Sequence, residues 1–348
     1  MAVKVGVIGA GGAGRLLHLP AFKEVPDAEV VALADAREER VKAVADQYGV
    51  PKRFTDYRKL LEEELDMVTI GLPNHLHCEV ATAALKAGKH VVTEKPLSDT
   101  LAAARKMVEA AHSTGKRLFM GVQNRFRYKT QYIREMVLKG KLGEVYHVDC
   151  SIMRRRGYPG MGSWFTDKKL SGGGCLLDIG VHVLDMAWYM ACEPRAERAS
   201  GAVYARFGHL PRKPSNFGDY DQKGTVDVDD FAVGVIHFEG GASLSLHVSW
   251  AANGPQSGFK VHLYGTKAGV GYDPFIIYGE EQGLVTDAAP QLELQENAYA
   301  EEMKHFIAVI QGKAEPVVMP EKAFEVQAML DAVYKSAASG KEAAVEKL

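Results

Sequence analysis

Apolar and polar positions alternate with two different rhythms along this chain. In the first third, short apolar runs are separated by stretches of helical apolar spacing. Residues 3–8, 30–34, 67–71, 90–93 and 117–121 read as buried strands, and 13–25, 38–48, 76–87 and 101–113 as the helices between them. Strands joined by helices of this length form right-handed βαβ units and a parallel sheet. Pro20 predicts a kink in the first helix. Ser98 or Asp99 is the expected N-cap of the helix at 101–113, and Gly115 its stop. Past residue 121 the pattern changes. A helix over 130–138 leads into alternating runs at 144–153, 231–238, 242–250 and 260–264, two of them joined by the hairpin signal Glu239-Gly240-Gly241. Helices are expected at 176–191, 299–310 and 321–338. The strand-rich part predicts an antiparallel or mixed sheet with one covered face, and the other face is a candidate subunit interface. Residues 208–224 are polar and rich in Pro, Gly and Asp, the composition of a lid, a contact loop or a mobile segment.

Length and composition narrow the class. A chain of 348 residues suits two domains. The apolar share of 47%, the charged share of 25% and a formal net charge of −2 describe a soluble globular protein with no polyanion to neutralise, so no nucleic-acid partner is expected. No apolar run approaches the ~20 residues of a membrane span, and the chain enters a strand at once, leaving no room for a signal peptide. Cys78, Cys150, Cys175 and Cys192 are scattered without a C-x-x-C, which points to free thiols of a reducing cytoplasm. His75-x-His77 lacks a third ligand, so no metal is expected.

The first chemical signal follows the first strand. Gly9-Ala10-Gly11-Gly12-Ala13-Gly14 is a G-x-G-x-x-G between a strand and a helix. Gly9 permits a tight turn, Gly11 the close approach of a pyrophosphate, and Gly14 close helix–strand packing, while Gly12 and Ala13 supply N–H groups at the helix start. Asp35 ends the second strand at the spacing of a ribose partner. Its carboxylate accepts from both adenosine ribose hydroxyls and repels a 2′-phosphate, so NAD is expected. NADP is the alternative, through Arg37 if that side chain turns inward.

The second signal is split between two places. Glu94-Lys95-Pro96 ends the strand at 90–93, and ligands of open α/β sheets bind at the carboxyl ends of strands. Lys95 is then near a nicotinamide, able to stabilise charge on a reacting oxygen. Pro96 makes a sharp turn, whose isomer the sequence leaves open. Farther on, Asp178, His182, Asp185 and Tyr189 share one face of the helix at 176–191, opened by the flexible run Gly172-Gly173-Gly174. Ile179, Val183, Met186 and Met190 form an apolar seam beside them. A solvent-facing polar stripe is the alternative, but the apolar flanks favour a buried helix whose ionisable side faces a cleft. A histidine held by aspartates is a suitable acid/base near neutral pH.

Taken together, G-x-G-x-x-G at Gly9, P-N-x-x-H at Pro73 to His77, E-K-P at Glu94, and G-G-G-x-x-x-D-I-G-x-H-x-x-D at Gly172 to Asp185 resemble the Gfo/Idh/MocA family, the relatives of glucose–fructose oxidoreductase and inositol dehydrogenase. The resemblance spans nearly the whole chain. It implies an α/β protein with an N-terminal Rossmann domain, here 1–122. A C-terminal α/β domain with a large, mostly antiparallel open sheet follows, here 123–348, its last helix packing back on the first. Homodimers or homotetramers through that sheet are implied as well. Lys95, Asp178 and His182 are the implied catalytic residues. Pro73, Asn74 and His77 match the loop along the cofactor, and Glu94 the holder of the nicotinamide ribose. Asp185 is left an orienting or capping role. Arg125, Arg156 and Trp164 are substrate-side candidates, the last two from the stretch between the first strand of the second sheet and the catalytic helix. Arg154 and Arg155 adjoin Arg156, and a solvated strand end is the alternative for all three. The implied function is hydride transfer between NAD(P) and a secondary alcohol of a cyclic polyol or sugar. An NAD-dependent glycoside hydrolase and a non-catalytic sensor are the alternatives on the same fold.

Overall fold

The computed structural model describes residues 2–211, 220–291 and 297–348. The first sheet contains β1 (Val3–Ile8), β2 (Ala28–Ala34), β3 (Lys52–Phe54), β4 (Met67–Ile70), β5 (His90–Thr93) and β6 (Leu118–Met120), all parallel, in the order β3-β2-β1-β4-β5-β6. The order reverses between β1 and β4, which opens a crevice at the carboxyl ends of those strands. β4 is buried at all four positions because helices cover both faces. The short β3 escapes sequence reading because Lys52 and Arg53 are exposed edge residues that carry no apolar signal.

The second sheet has nine strands: β7 (Val145–Met153), β8 (Ala196–Tyr204), β9 (Phe231–Phe238), β10 (Ser243–Ser249), β11 (Lys260–Gly265), β12 (Gly269–Gly271), β13 (Ile276–Glu281), β14 (Leu284–Ala288) and β15 (Ala343–Ala344). Their order is β14-β13-β12-β11-β7-β10-β9-β8-β15, antiparallel except where β7 meets β10. Val148, Cys150, Ile152, Leu244, Leu246 and Val248 are buried on one face. The helices Val181–Met190 and Pro320–Ser339 pack on this sheet, the first against β7 and the second against β8 and β9. Residues of the other face are more open: Val235 on β9 is 37% exposed. The helix Pro320–Ser339 also packs on the helix Leu101–Thr114, and Gln327 exchanges two hydrogen bonds with the Ser98 main chain.

Several local expectations change. The N-cap of the helix Leu101–Thr114 is Thr100, whose side chain accepts from Ala103 N, rather than Ser98 or Asp99. Pro20 follows a π-helical turn, Gly14–His18, and sits near the start of a short α-helix, Leu19–Phe22. The irregular register absorbs the missing N–H. The glycines 172–174 are tightly packed rather than flexible: a Cβ on Gly172 would lie 2.0 Å from Asp99 O and one on Gly173 2.3 Å from the Tyr334 hydroxyl. Lys168–Met190 has the length and hydropathy of a membrane span, yet 83% of its most apolar 18-residue stretch is buried inside the protein. Of the polar stretch 208–224, residues 212–219 lie outside the described residues.

Candidate active site

A cleft of about 810 Å³ runs from the glycine loop to the start of the helix that carries Asp178. Its cofactor-facing end is built by the loop after β1. Gly9 turns with φ +102°, and a Cβ there would lie 2.4 Å from Gly71 O. A Cβ on Gly14 would lie 1.9 Å from Gly9 O, so the turn and the helix start touch. At Gly11 a Cβ would meet only Arg40 Nη1, at 3.6 Å, so the loop's outer side is open. Asp35 Oδ2 accepts from Ala10 N at 2.9 Å and Oδ1 from Arg37 N at 3.0 Å, with Arg40 3.8 Å away. Main-chain N–H groups at the start of the helix after a glycine turn and a carboxylate at the end of β2 are the donor and acceptor set that a dinucleotide needs. Gly12, Ala13, Arg37, Pro73 and Asn74 line the same cleft.

The polar centre lies beside this loop. Lys95 follows β5 and precedes a cis peptide to Pro96. Its Nζ donates to Asp178 Oδ1 at 2.7 Å and to Asp178 O at 2.8 Å. That carbonyl belongs to a second π-helical turn, Leu176–Gly180, where the regular i→i−4 pattern is interrupted. Trp250 Nε1 donates to the other carboxylate oxygen at 3.1 Å. Burial pushes the Asp178 carboxyl up, but the Lys95 charge and hydrogen bond outweigh it and hold the group below the ordinary range. His182, one turn on, faces the cleft near Phe259, while its Nδ1 is buried without a hydrogen-bond partner among the described residues. Burial and the Lys95 charge hold the imidazole down to about 3, so it stands neutral at physiological pH.

Glu94 lines the cleft and pairs with His18 Nε2 at 2.9 Å. Burial raises the Glu94 carboxyl, and the His18 hydrogen bond reverses this, leaving it lowered. Tyr299 and Gln123 close that side, with a 2.9 Å hydrogen bond between them. His77 lies behind the wall. It is fully buried, its ring nitrogens 3.0 and 2.9 Å from the carbonyls of Pro96 and Leu72, so it braces the two loops instead of lining the cleft.

Two substrate-side expectations are corrected. Arg125 is fully buried away from the cleft, donating to Asp185 at 2.7–3.1 Å and to Glu193 at 2.7 Å. Asp185 and Tyr189 belong to that cluster, with the Arg125 guanidinium 4.7 Å from the Tyr189 ring centre. The polar stripe therefore splits, its first half facing the cleft and its second half an internal ion cluster. Arg156 turns outward, donating to Ala252 O and Asn253 Oδ1. Arg154 lines the cleft instead, and no carboxylate pairs with it among the described residues. Trp164 lines the cleft, stacked on Phe165 at 3.8 Å. Trp250, Phe259, Tyr299 and His18 were not legible as site residues. Only His18 carried a signal, a histidine four residues after Gly14 flanked by Leu16, Leu17 and Leu19.

Comparison with known proteins agrees with this architecture. Residues 3–122 match the family model of an oxidoreductase family with an NAD-binding Rossmann fold, and residues 130–270 match the GFO/IDH/MocA C-terminal domain. D-glucoside 3-dehydrogenase of Escherichia coli strain K12 is 35% identical over 97% of this chain and 96% of its own. Myo-inositol 2-dehydrogenase of Thermotoga maritima is 30% identical, covering 92% and 91%. The solved structure of levoglucosan dehydrogenase with NADH and levoglucosan matches with a TM-score of 0.87 at 23% identity over 100% of both chains, a likeness of fold.

Proposed function

This chain belongs to the Gfo/Idh/MocA family of oxidoreductases, and on that footing we propose that it oxidises the 3-hydroxyl of a D-glucoside, with Lys95, Asp178 and His182 as the reacting side chains. The coarser identity is an NAD-binding oxidoreductase of the sugar and polyol dehydrogenase type. The observation that carries the proposal is the Lys95–Asp178 ion pair beside a neutral His182, in one cleft with the glycine loop. The 3-position rests on the full-length likeness to the D-glucoside 3-dehydrogenase.

NAD, when bound, supplies the acceptor for the hydride leaving the carbon. The glycine loop, Asp35 and Glu94 are the residues that would hold it. An ammonium has three N–H groups, and Lys95 gives two to Asp178, which leaves one for the substrate oxygen. That bond strengthens as charge develops on the oxygen. The neutral imidazole of His182 takes the hydroxyl proton. Asp178 balances the charge of Lys95 and, once His182 is protonated, of the imidazolium as well. Arg154 offers a guanidinium to neighbouring hydroxyls, and Trp164 an apolar ring edge to the sugar. Four free cysteines support a reducing cytoplasm, and the half-open face of the second sheet supports a homo-oligomer. We place the domain division after residue 122.

The test is nicotinamide reduction by purified protein with methyl glucosides, 3-deoxy-glucosides and inositols. Reduction with the glucosides, none with the 3-deoxy compounds, and a 3-keto product are expected. Equal rates with the 3-deoxy compounds, or turnover of inositols alone, would refute the 3-position.

A further inference from the structure

Two adjacent aspartates outside the cleft reach Asp178 by separate routes. A helix start leaves N–H groups unsatisfied, and Asp229 takes three in succession from the helix that carries Asp178. Its Oδ1 accepts from Gly174 N at 2.8 Å, its main-chain oxygen from Cys175 N at 2.9 Å, and its Oδ2 from Leu176 N at 2.9 Å. The Tyr334 hydroxyl at 2.8 Å and the Cys175 thiol at 3.3 Å add two more donors. Asp229 is 7% exposed, and a Cβ on Gly174 would lie 1.9 Å from its carbonyl oxygen, so there is no slack in the fit.

Asp230 reaches Asp178 through Trp250. Its carbonyl accepts from Trp250 N at 2.8 Å. Its Oδ2 accepts from the Tyr158 hydroxyl at 3.0 Å, and the Tyr158 ring lies against Trp250 with centroids 5.5 Å apart. The main-chain N–H groups of Arg206 and Phe207 converge on the same oxygen. Trp250 in turn donates from Nε1 to Asp178.

We infer that Asp229 and Asp230 are positioning residues for the reaction, Asp229 fixing the main chain that carries Asp178 and Asp230 fixing the indole that orients its carboxylate. The inference rests on the reading of Asp178 as part of the acid–base machinery. An amide cannot replace the Asp229 carboxylate without loss, whereas Asp230 Oδ1 is buried with no hydrogen-bond partner among the described residues, so at Asp230 the whole side chain must go to strip Tyr158, Arg206 and Phe207 of their acceptor. The side-chain oxygens of Asp229 receive four donors, and the NH₂ of an asparagine would face two of them.

The test uses full-length enzyme with NAD and methyl β-D-glucoside, and compares Asp229→Asn, Asp230→Ala, Tyr334→Phe and Trp250→Phe for kcat, KM and Tm. In the two aspartate variants kcat falls roughly 10–100-fold with KM for NAD unchanged, as a small misplacement of a reacting group produces. Asp230→Ala in a Trp250→Phe background loses much less than the product of the two single effects, because both act through one indole. The Trp250 indole N–H resonance, assigned by its loss in Trp250→Phe, shifts in Asp230→Ala whether or not the sugar turns over. Lowered Tm with full kcat, independent Asp230 and Trp250 effects, or an unmoved resonance would each overturn the inference. If Asp229→Asn does not fold, Tyr334→Phe carries that arm: a lower kcat at retained Tm supports it, and an unchanged kcat refutes it. Asp178→Asn separates the two levels. If it keeps full kcat, both readings fall. If it loses kcat while the neighbouring variants keep theirs, only the positioning role falls.

Discussion

Replacing Asp178 by asparagine should uncouple the site while preserving the cofactor end. The carboxylate accepts from Lys95 at 2.7 Å through one oxygen and from Trp250 Nε1 at 3.1 Å through the other. An amide has one oxygen, which will go to the ammonium because charge-assisted bonds are the stronger. The NH₂ then meets the indole N–H, leaving a donor unpaired at a cost of about 1–3 kcal/mol. The side chains of Lys95 and Asp178 are 14% and 13% exposed, so the loss of the counter-charge adds part of the roughly 3–5 kcal/mol that breaking a buried pair costs. Lys95 keeps the Asp178 carbonyl as an acceptor, which limits the total to about 2–4 kcal/mol. Catalysis should suffer more than stability. Without the negative charge the imidazolium that forms at His182 is opposed by Lys95 and Arg154 and favoured only by Glu94, and kcat should fall by about 10²–10⁴-fold. Steady-state kinetics in both nucleotide and glucoside, with urea unfolding alongside, separates the two effects. A variant with near-wild-type kcat, or one whose whole loss lies in KM for NAD, would refute this reasoning.

Other perturbations act elsewhere. Asp35→Ser removes acceptors from Ala10 N and Arg37 N together with the ribose partner, so NAD should weaken by about 1–3 kcal/mol and the NAD/NADP preference should fall; an unchanged ratio in paired titrations would show that Asp35 does not face the ribose. His182→Ala should lower kcat by about 10²–10⁴-fold without changing NAD affinity. Because His182 is held down at about 3, it should contribute no acid limb to the kcat profile between about pH 5 and 8; a limb near 6.5 that disappears in the variant would contradict this. His90 at about 4 and His182 at about 3 are both depressed below the unfolded value near 6.5, so folding favours their neutral forms. Their stabilisation is present above that value and is lost as pH falls from about 6.5 toward 4 and then 3. Urea midpoints should decline over that window, and less steeply in His90→Gln; identical slopes would remove His90 from the account.

Much of the cofactor end was legible because its constraints are local. The strand, the glycine turn, the helix and Asp35 lie within the first 35 residues, and Gly9 and Gly14 answer contacts a side chain could not make. Lys95 and Asp178 were legible as motifs, but their pairing needs the carboxyl end of β5 and the turn Leu176–Gly180 to meet in space. What escaped was non-local. Arg125 looked like a cleft residue until the fold supplied Asp185 and Glu193 as internal partners. The even stripe drawn on the helix at 176–191 ignored the π turn and the crowding at its far end. β8 was missed because its Ala, Ser and Gly positions carry no apolar alternation, β12 and β15 because they have only three and two residues, and β14 because it is exposed throughout. Trp250 follows the correctly expected strand β10 by one residue, yet nothing along the chain says that its indole reaches Asp178.

The central claim is hydride transfer from C3 of a glucoside to NAD in the cleft where Lys95, Asp178 and His182 meet. Its most direct test is a methyl glucoside deuterated at C3, incubated with the purified protein and NAD, with the reduced nucleotide analysed by mass. The account predicts one deuterium per reduced nicotinamide and a slowed turnover. Unlabelled reduced nucleotide formed from that substrate would contradict it.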